Sequence, residues 1–247
     1  MIINSFFIKL FKIVLLYRNI MQILFCLPGN SFSSNFLLSW SMLIDSCYKK
    51  NINIVLAPGV ASSLSLARSK SLGYTALGGA NQLPFQGKIE YDFIMFLDSD
   101  ILFKPDDFFA LLESPHDITS GLYMHNDSKN YNTCQKWDTE YFMKNGTFEY
   151  ITPTTLEAYK KNALSKYMPI AFTGLGFTLM RKGVLEKLSY PIFWSDIQTI
   201  PSNDSTKPDA VEIPSDDMAF FLNLKKAGIT SYVDTSIRVG HEKLVVL

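Results

Sequence analysis

The stretch Tyr91-Asp92-Phe93-Ile94-Met95-Phe96-Leu97-Asp98-Ser99-Asp100 limits what this chain can fold into. An apolar, aromatic and branched run of this length, ended abruptly by acids, fits a strand buried on both faces. Such strands occur where helices cover a mostly parallel sheet. Successive strand side chains alternate faces, so Asp98 and Asp100 are expected to point the same way. Two converging carboxylates form a hard-oxygen site suited to Mg²⁺ or Mn²⁺ carrying a phosphate. Ligands of open α/β sheets bind at the carboxyl ends of their strands. Asp-Ser-Asp serves equally well as a solvated turn with capping acids.

The flanking sequence repeats one pattern. Met21–Leu27 reads as a buried strand stopped by Pro28-Gly29, and Ser33 or Ser34 caps a helix to about Cys47. Ile52–Ala57 is a second strand ended by Pro58-Gly59, followed by a helix capped at Ser62 or Ser63 and closed by Gly73. Strand, helix, strand, helix predicts a parallel sheet with covering helices. After Asp100, Pro105 opens a helix over 106–113, with acids at its positive end. Strands are expected over 117–124 and, as a glycine-containing pair, over 169–180. The Asn145-Gly146 step predicts a β-hairpin between 141–142 and 147–151. Residues 181–188 read as helix and 195–214 as a long polar loop. Ser215 caps a helix over 216–227, and two short strands, 229–233 and 236–239, lead into Gly240-His241.

The totals narrow the function classes. Basic and acidic residues number 23 each, so the basic excess of a nucleic-acid-binding surface is absent. Cys26, Cys47 and Cys134 are odd in number and widely spaced. They argue against a disulfide framework or a cysteine zinc site and suit a reducing, cytoplasmic compartment. Residues 1–20 are nearly all apolar, interrupted by Lys9, Lys12 and Arg18, with no acid. That is too short and interrupted for a clear membrane span. The segment reads as a packed N-terminal helix, an upstream extension, or an interfacial helix making peripheral membrane contact.

Four blocks together resemble the GT-A glycosyltransferases, near the family 2-like enzymes of bacteria, phages and large viruses. They are Phe96-Leu97-Asp98-Ser99-Asp100; Thr173-Gly174-Leu175-Gly176-Phe177 through Arg181; Ser215-Asp216-Asp217-Met218; and Val239-Gly240-His241. The resemblance runs from about Met21 to His241. It implies a three-layer α/β sandwich with a mixed, mostly parallel sheet, in one domain over 21–247. A nucleotide-binding half would cover about 21–115 and an acceptor-binding half 116–247. It further implies a metal-dependent hexosyl- or deoxyhexosyltransferase that moves a sugar from a nucleotide-diphosphate donor to a carbohydrate or other hydroxyl acceptor. A viral member would act in the host cytoplasm.

By that resemblance Asp100, Asp98 and His241 would hold Mn²⁺ or Mg²⁺, with Asp98 also near the donor's ribose. Asp217 would be the general base of an inverting displacement. Leu27 and Pro28 would seat the base of a UDP- or GDP-sugar, Arg68 would meet the diphosphate, and Gly174 and Gly176 would admit donor and acceptor. Two departures stand out. Ser69 follows Arg68 where relatives carry Asn, and Ala57-Pro58-Gly59 lacks the uracil-binding aspartate, which leaves the base open. Residues 123–150, rich in tyrosine and containing Trp137, fit either an acceptor platform or a half-buried hairpin. Asp216-Asp217 would also serve as plain helix-start acids. The rival readings are a nucleotidyltransferase acting on sugar phosphates and a catalytically inactive sugar- or partner-binding module on the same fold.

Overall fold

The computed structural model describes residues 20–243, so the expectations for residues 1–19 lie outside it. Serine caps start three of the helices. Ser33 Oγ accepts from Phe36 N at 3.0 Å to open α1 (Ser34–Lys49), and Ser63 does the same for α2 (Leu64–Ser71) through Leu66 N. Pro105 opens α3 (Pro105–Leu112). Ser215 Oγ accepts from Met218 N at 3.2 Å and opens a later helix, Asp216–Lys226.

The strands between them form one seven-stranded sheet. β1 (Gln22–Pro28) pairs in parallel with β2 (Asn53–Gly59) and with β3 (Phe93–Leu97). Beyond β3 the order continues through β9 (Phe177–Arg181), β5 (Ile118–Leu122), β12 (Ser231–Arg238) and β7 (Tyr167–Ile170), while β6 (Thr133–Cys134) pairs with β8 (Phe172–Thr173) outside this sheet. Only β9 and β7 oppose the other five. The mixed, mostly parallel sheet expected from the sequence is therefore present.

Alternation along β1 and β3 builds two cores. Ile23, Phe25, Phe93 and Met95 meet Phe36 and Leu43 of α1 and Phe108 of α3 on one face. Leu24, Cys26, Ile94 and Phe96 meet Leu72, Phe220 and Leu224 on the other. Burying each such side chain stabilises the fold by about 1.5–3 kcal/mol. Burial on both faces explains why β3 reads as an unbroken apolar run rather than an alternating one.

Several local expectations are corrected. Asn145-Gly146 makes no hairpin turn. Asp138 caps α4 (Thr139–Asn145), and Gly146, at φ 73°, closes it by donating to Phe142 O at 2.7 Å. A left-handed glycine serves a helix end as readily as a hairpin. Arg181 belongs to β9, and the helix expected over 181–188 shrinks to one 3₁₀ turn at Leu185–Lys187, after Gly183 at φ 97°. α5 (Pro153–Asn162) is capped by Thr152, whose side chain accepts from Thr155 N. The two terminal strands merge into β12, whose register with β5 shifts between Val233 and Arg238. The polar loop 195–214 carries a small antiparallel ribbon, β10 (Gln198–Ile200) with β11 (Ala210–Glu212).

Candidate active site

The acidic residues singled out in the sequence gather beyond the carboxyl end of β3, the edge at which open α/β sheets hold ligands. Asp98 is the first residue past the strand, and its N–H donates to Gly176 O at 3.0 Å. Ser99 and Asp100 form a turn into β4 (Ile101–Leu102), which pairs with β13 (Gly240–His241). That pairing carries His241 from the far end of the chain to Asp100. The Ser215 cap carries Asp216 and Asp217 to the same place, on the first turn of α6 (Asp216–Lys226).

Asp98 and Asp100 do not share a partner, which corrects the simple strand expectation. The strand ends at Leu97, so face alternation no longer governs the turn that follows. Asp98 turns to Arg68: Arg68 Nη2 donates to its two carboxylate oxygens at 3.2 and 3.0 Å. Asp100 Oδ2 instead lies 2.7 Å from Lys243 Nζ and 3.3 Å from His241 Nε2.

Arg68 is the centre of the arrangement. It is fully buried, and its Nη1 donates to Asp217 Oδ1 at 2.6 Å and to Asp216. One guanidinium thus clasps three carboxylates from two distant parts of the sequence. Burial disfavours its charge, but the three aspartates prevail and hold it protonated. The resemblance would have Arg68 meet a diphosphate; in the fold its terminal nitrogens are engaged by the three acids instead.

Asp217 is held on one side only. Its Oδ1 accepts from Arg68 and from Leu175 N at 3.2 Å, and among the described residues Oδ2 has no donor. Enclosure raises its pKa to about 6; Arg68 works against that rise, while Asp216 and Asp98 add to it. For Asp100, burial pushes upward, but hydrogen bonds from His241 and Lys243 outweigh it and bring the pKa down to about 2.

The glycines make room for the protein's own side chains. A Cβ on Gly174 would lie 1.8 Å from Tyr123 Oη and 2.3 Å from Asn132 Nδ2. A Cβ on Gly176 would lie 3.0 Å from Asp98 Oδ2 and from Tyr123 Oη. Gly176 N also donates to that hydroxyl at 3.1 Å. Tyr123 therefore packs against both glycines beside Asp98. The sequence marked it only as one of many tyrosines in 123–150. Aromatic side chains of that region pack inward: Tyr123 and Tyr131 are buried, and Trp137 packs on Phe148 at 4.2 Å. Leu27 and Pro28 are buried as well. The surface above them is a shallow cavity of ≈ 210 Å³, lined by Gly29, Asn30 and residues 59–64. A larger cavity of ≈ 400 Å³, beside Trp137 and Lys225, lies toward the C-terminal half of α6, away from the acids.

Among the described residues, no three His, Cys, Asp or Glu side chains stand close enough to hold a metal by themselves. The pair Asp100–His241 nevertheless fits one. His241 Nδ1 lies 2.7 Å from Met124 O, so it carries a proton and donates. The second nitrogen then faces the Asp100 carboxylate, as in metal sites whose histidines are oriented by a carbonyl. With a proton on that nitrogen it donates to Asp100; without one, the two acceptors require a cation between them, and Lys243 supplies one charge there. Four acids against Arg68 and Lys243 leave two negative charges in excess, the charge of one divalent ion. Magnesium-type ions commonly take one or two protein ligands and complete their shell with phosphate and water. Lys243 itself had no signal in the sequence, because nothing local marks a lysine two residues past His241 as a partner of Asp100.

No protein-family model matches the sequence, and no curated protein matches it. Solved structures do. A197 from STIV aligns with a TM-score of 0.51 at 18% identity, covering 91% of this chain and 87% of that one. Drosophila β1,4-galactosyltransferase 7, in complex with manganese, UDP-Gal and xylobiose, aligns at 0.43 and 11% identity, over 91% and 72% of the two chains. GalNAc-T7 with UDP, GalNAc and Mn²⁺ aligns at 0.49 and 10% identity, over 90% of this chain and 44% of the other. At these identities the likeness speaks to fold alone. The fold shared with A197 is an α/β sandwich around a mixed, mostly parallel seven-stranded sheet.

Proposed function

We propose that the chain is a metal-dependent glycosyltransferase that moves a sugar from a nucleotide diphosphate to a hydroxyl acceptor with inversion. The observation that carries this reading is the Arg68 clasp, which brings the Asp98 end of β3 and Asp217 of α6 to one guanidinium. Donor-side and acceptor-side groups of a single displacement have to meet in this way.

Each residue then has a task that its geometry supports. Asp217 Oδ2, without a donor among the described residues, takes the proton of the acceptor hydroxyl, while Arg68 and Leu175 N hold Oδ1 still. A pKa near 6 leaves Asp217 ionised at neutral pH yet basic enough to accept that proton. Asp100 and His241 would hold the divalent ion; when bound, it neutralises the charge that grows on the leaving diphosphate. Asp98, tied to Arg68, faces the same space. The cavity over residues 29–30 and 59–64 suits the nucleoside end of the donor, and Gly174–Gly176, packed against Tyr123, would separate donor from acceptor.

The test is direct. The protein is incubated with a panel of UDP- and GDP-sugars, with Mn²⁺ or with chelator, and released nucleotide is measured. Slow hydrolysis of one member that depends on Mn²⁺ is expected. Absence of both hydrolysis and binding across the whole panel would overturn the proposal.

A further inference from the structure

We infer that Lys243 competes with the divalent ion for Asp100 and, once displaced, binds the diphosphate of the donor. The inference rests on the metal reading of this site and gives Lys243 a task in it.

The backbone that carries Lys243 is held in place. Gly240 and His241 pair with β4, and Glu242 N donates to Asp100 O at 2.8 Å. Asn35 Nδ2 of α1 donates to the Glu242 carboxylate at 2.9 Å. The Lys243 side chain is held far less. Its ammonium donates to Asp100 Oδ2 at 2.7 Å and has no second partner among the described residues. It is 42% exposed, at the end of a flexible four-carbon stem. A half-exposed ion pair of this kind is weak enough to exchange partners.

The oxygen it holds is the one an ion needs. Oδ2 is the Asp100 oxygen that faces His241 Nε2, 3.3 Å away. An ion held by both groups binds that oxygen, at about 2.0–2.1 Å for magnesium-type ions. An ammonium on the same oxygen is then a like charge at contact distance, and the two repel. Lys243 leaves when the ion enters. Within the site no acid is free to receive it: Asp98, Asp216 and Asp217 are held by Arg68, and Glu242 by Asn35. A nucleotide diphosphate that arrives with the ion supplies the missing anion, because a lysine ammonium is a point charge suited to phosphate. Ion and nucleotide then assist each other through Lys243. The nucleotide takes up the ion's competitor, and by linkage the ion frees that lysine for the nucleotide.

The test is calorimetric titration of the full chain with Mn²⁺ alone, and with UDP or GDP at saturating Mn²⁺. Lys243→Met should bind Mn²⁺ alone about fivefold more tightly than the parent. It should bind the nucleotide about fivefold less tightly. Damage to the fold would weaken both, so the opposite signs are diagnostic. Lys243→Arg keeps the charge and should return the Mn²⁺ affinity to the parent's. Lys49→Met, at the far end of α1, should change neither affinity, which separates local competition from overall charge. The inference is overturned, with the metal reading intact, if Lys243→Met binds Mn²⁺ alone no more tightly than the parent. It is overturned equally if the variant holds the nucleotide as well as the parent does, or if the parent binds Mn²⁺ but neither nucleotide. If no Mn²⁺ binds with or without nucleotide, the metal reading fails and the inference falls with it.

Discussion

Arg68→Met removes the guanidinium and keeps most of its volume. Arg68 makes hydrogen bonds to Asp98 at 3.0 and 3.2 Å, to Asp217 at 2.6 Å and to Asp216. Removing one partner of a buried ion pair costs about 3–5 kcal/mol, because the other charge is left uncompensated. The carboxylate partners keep 20–21% of their surface, so water relieves part of that cost and about 3 kcal/mol is expected. For a chain of this size that corresponds to a fall of about 6–12 °C in Tm. Thermal unfolding followed by circular dichroism measures it without any substrate. Methionine also removes the buried Arg68 Nε, which has no hydrogen-bond partner among the described residues, and that makes the loss smaller than for a fully satisfied side chain. The decisive comparison is Arg68→Met in a background of Asp98→Asn, Asp216→Asn and Asp217→Asn, where no stranded carboxylates remain beside the methionine. More than half of the lost stability should return. A drop below about 2 °C in the single variant, or no recovery in the combined one, would show that the clasp does not hold the two parts of the site together.

The other expectations concern chemistry and pH. Asp217→Asn should lower transfer by about 10²–10⁴-fold while leaving donor binding unchanged, as read by calorimetry beside turnover. In the parent enzyme the transfer rate should rise with pH through about 6, as Asp217 ionises. Stability runs the other way for this group. A carboxyl whose pKa is raised from 3.8 to about 6 binds its proton more tightly in the fold, so its contribution is lost as pH rises across that window. Asp217→Asn should flatten that part of the denaturation profile. Asp100, lowered from 3.8 to about 2, contributes above pH 3.8 and loses that contribution as pH falls toward 2. His241→Ala should weaken Mn²⁺ binding by about 10–100-fold in a direct titration; unchanged affinity would remove His241 from the metal site. Gly174→Ala, whose methyl would collide with Tyr123 Oη, should cost about 1–3 kcal/mol by urea denaturation.

How much the sequence disclosed depended on the range of the interaction. The strands around Phe96, the serine caps and the Pro-Gly stops were legible because period, cap and breaker act within a few residues. Asn145-Gly146 was misread because a left-handed glycine answers two local needs, and only the packing of Phe142 against Phe148 decides between them. The candidate site was legible as residue types at element boundaries. Its wiring was not: that Arg68 faces three acids rather than open space, or that Lys243 reaches Asp100, follows from pairings 30 to 149 residues apart. No local pattern encodes such distances.

The strand order has a consequence for how the protein comes to exist. β9, from the second half of the chain, lies between β3 and β5 and hydrogen-bonds to both. The apolar edge of β3 therefore stays open during synthesis until residue 181 has emerged, and Arg68 waits for Asp216 and Asp217 longer still. A fragment ending near residue 115 would expose that edge and carry Arg68 with a single counter-ion. It should aggregate rather than fold, so this site cannot be assembled by joining two ready-made halves.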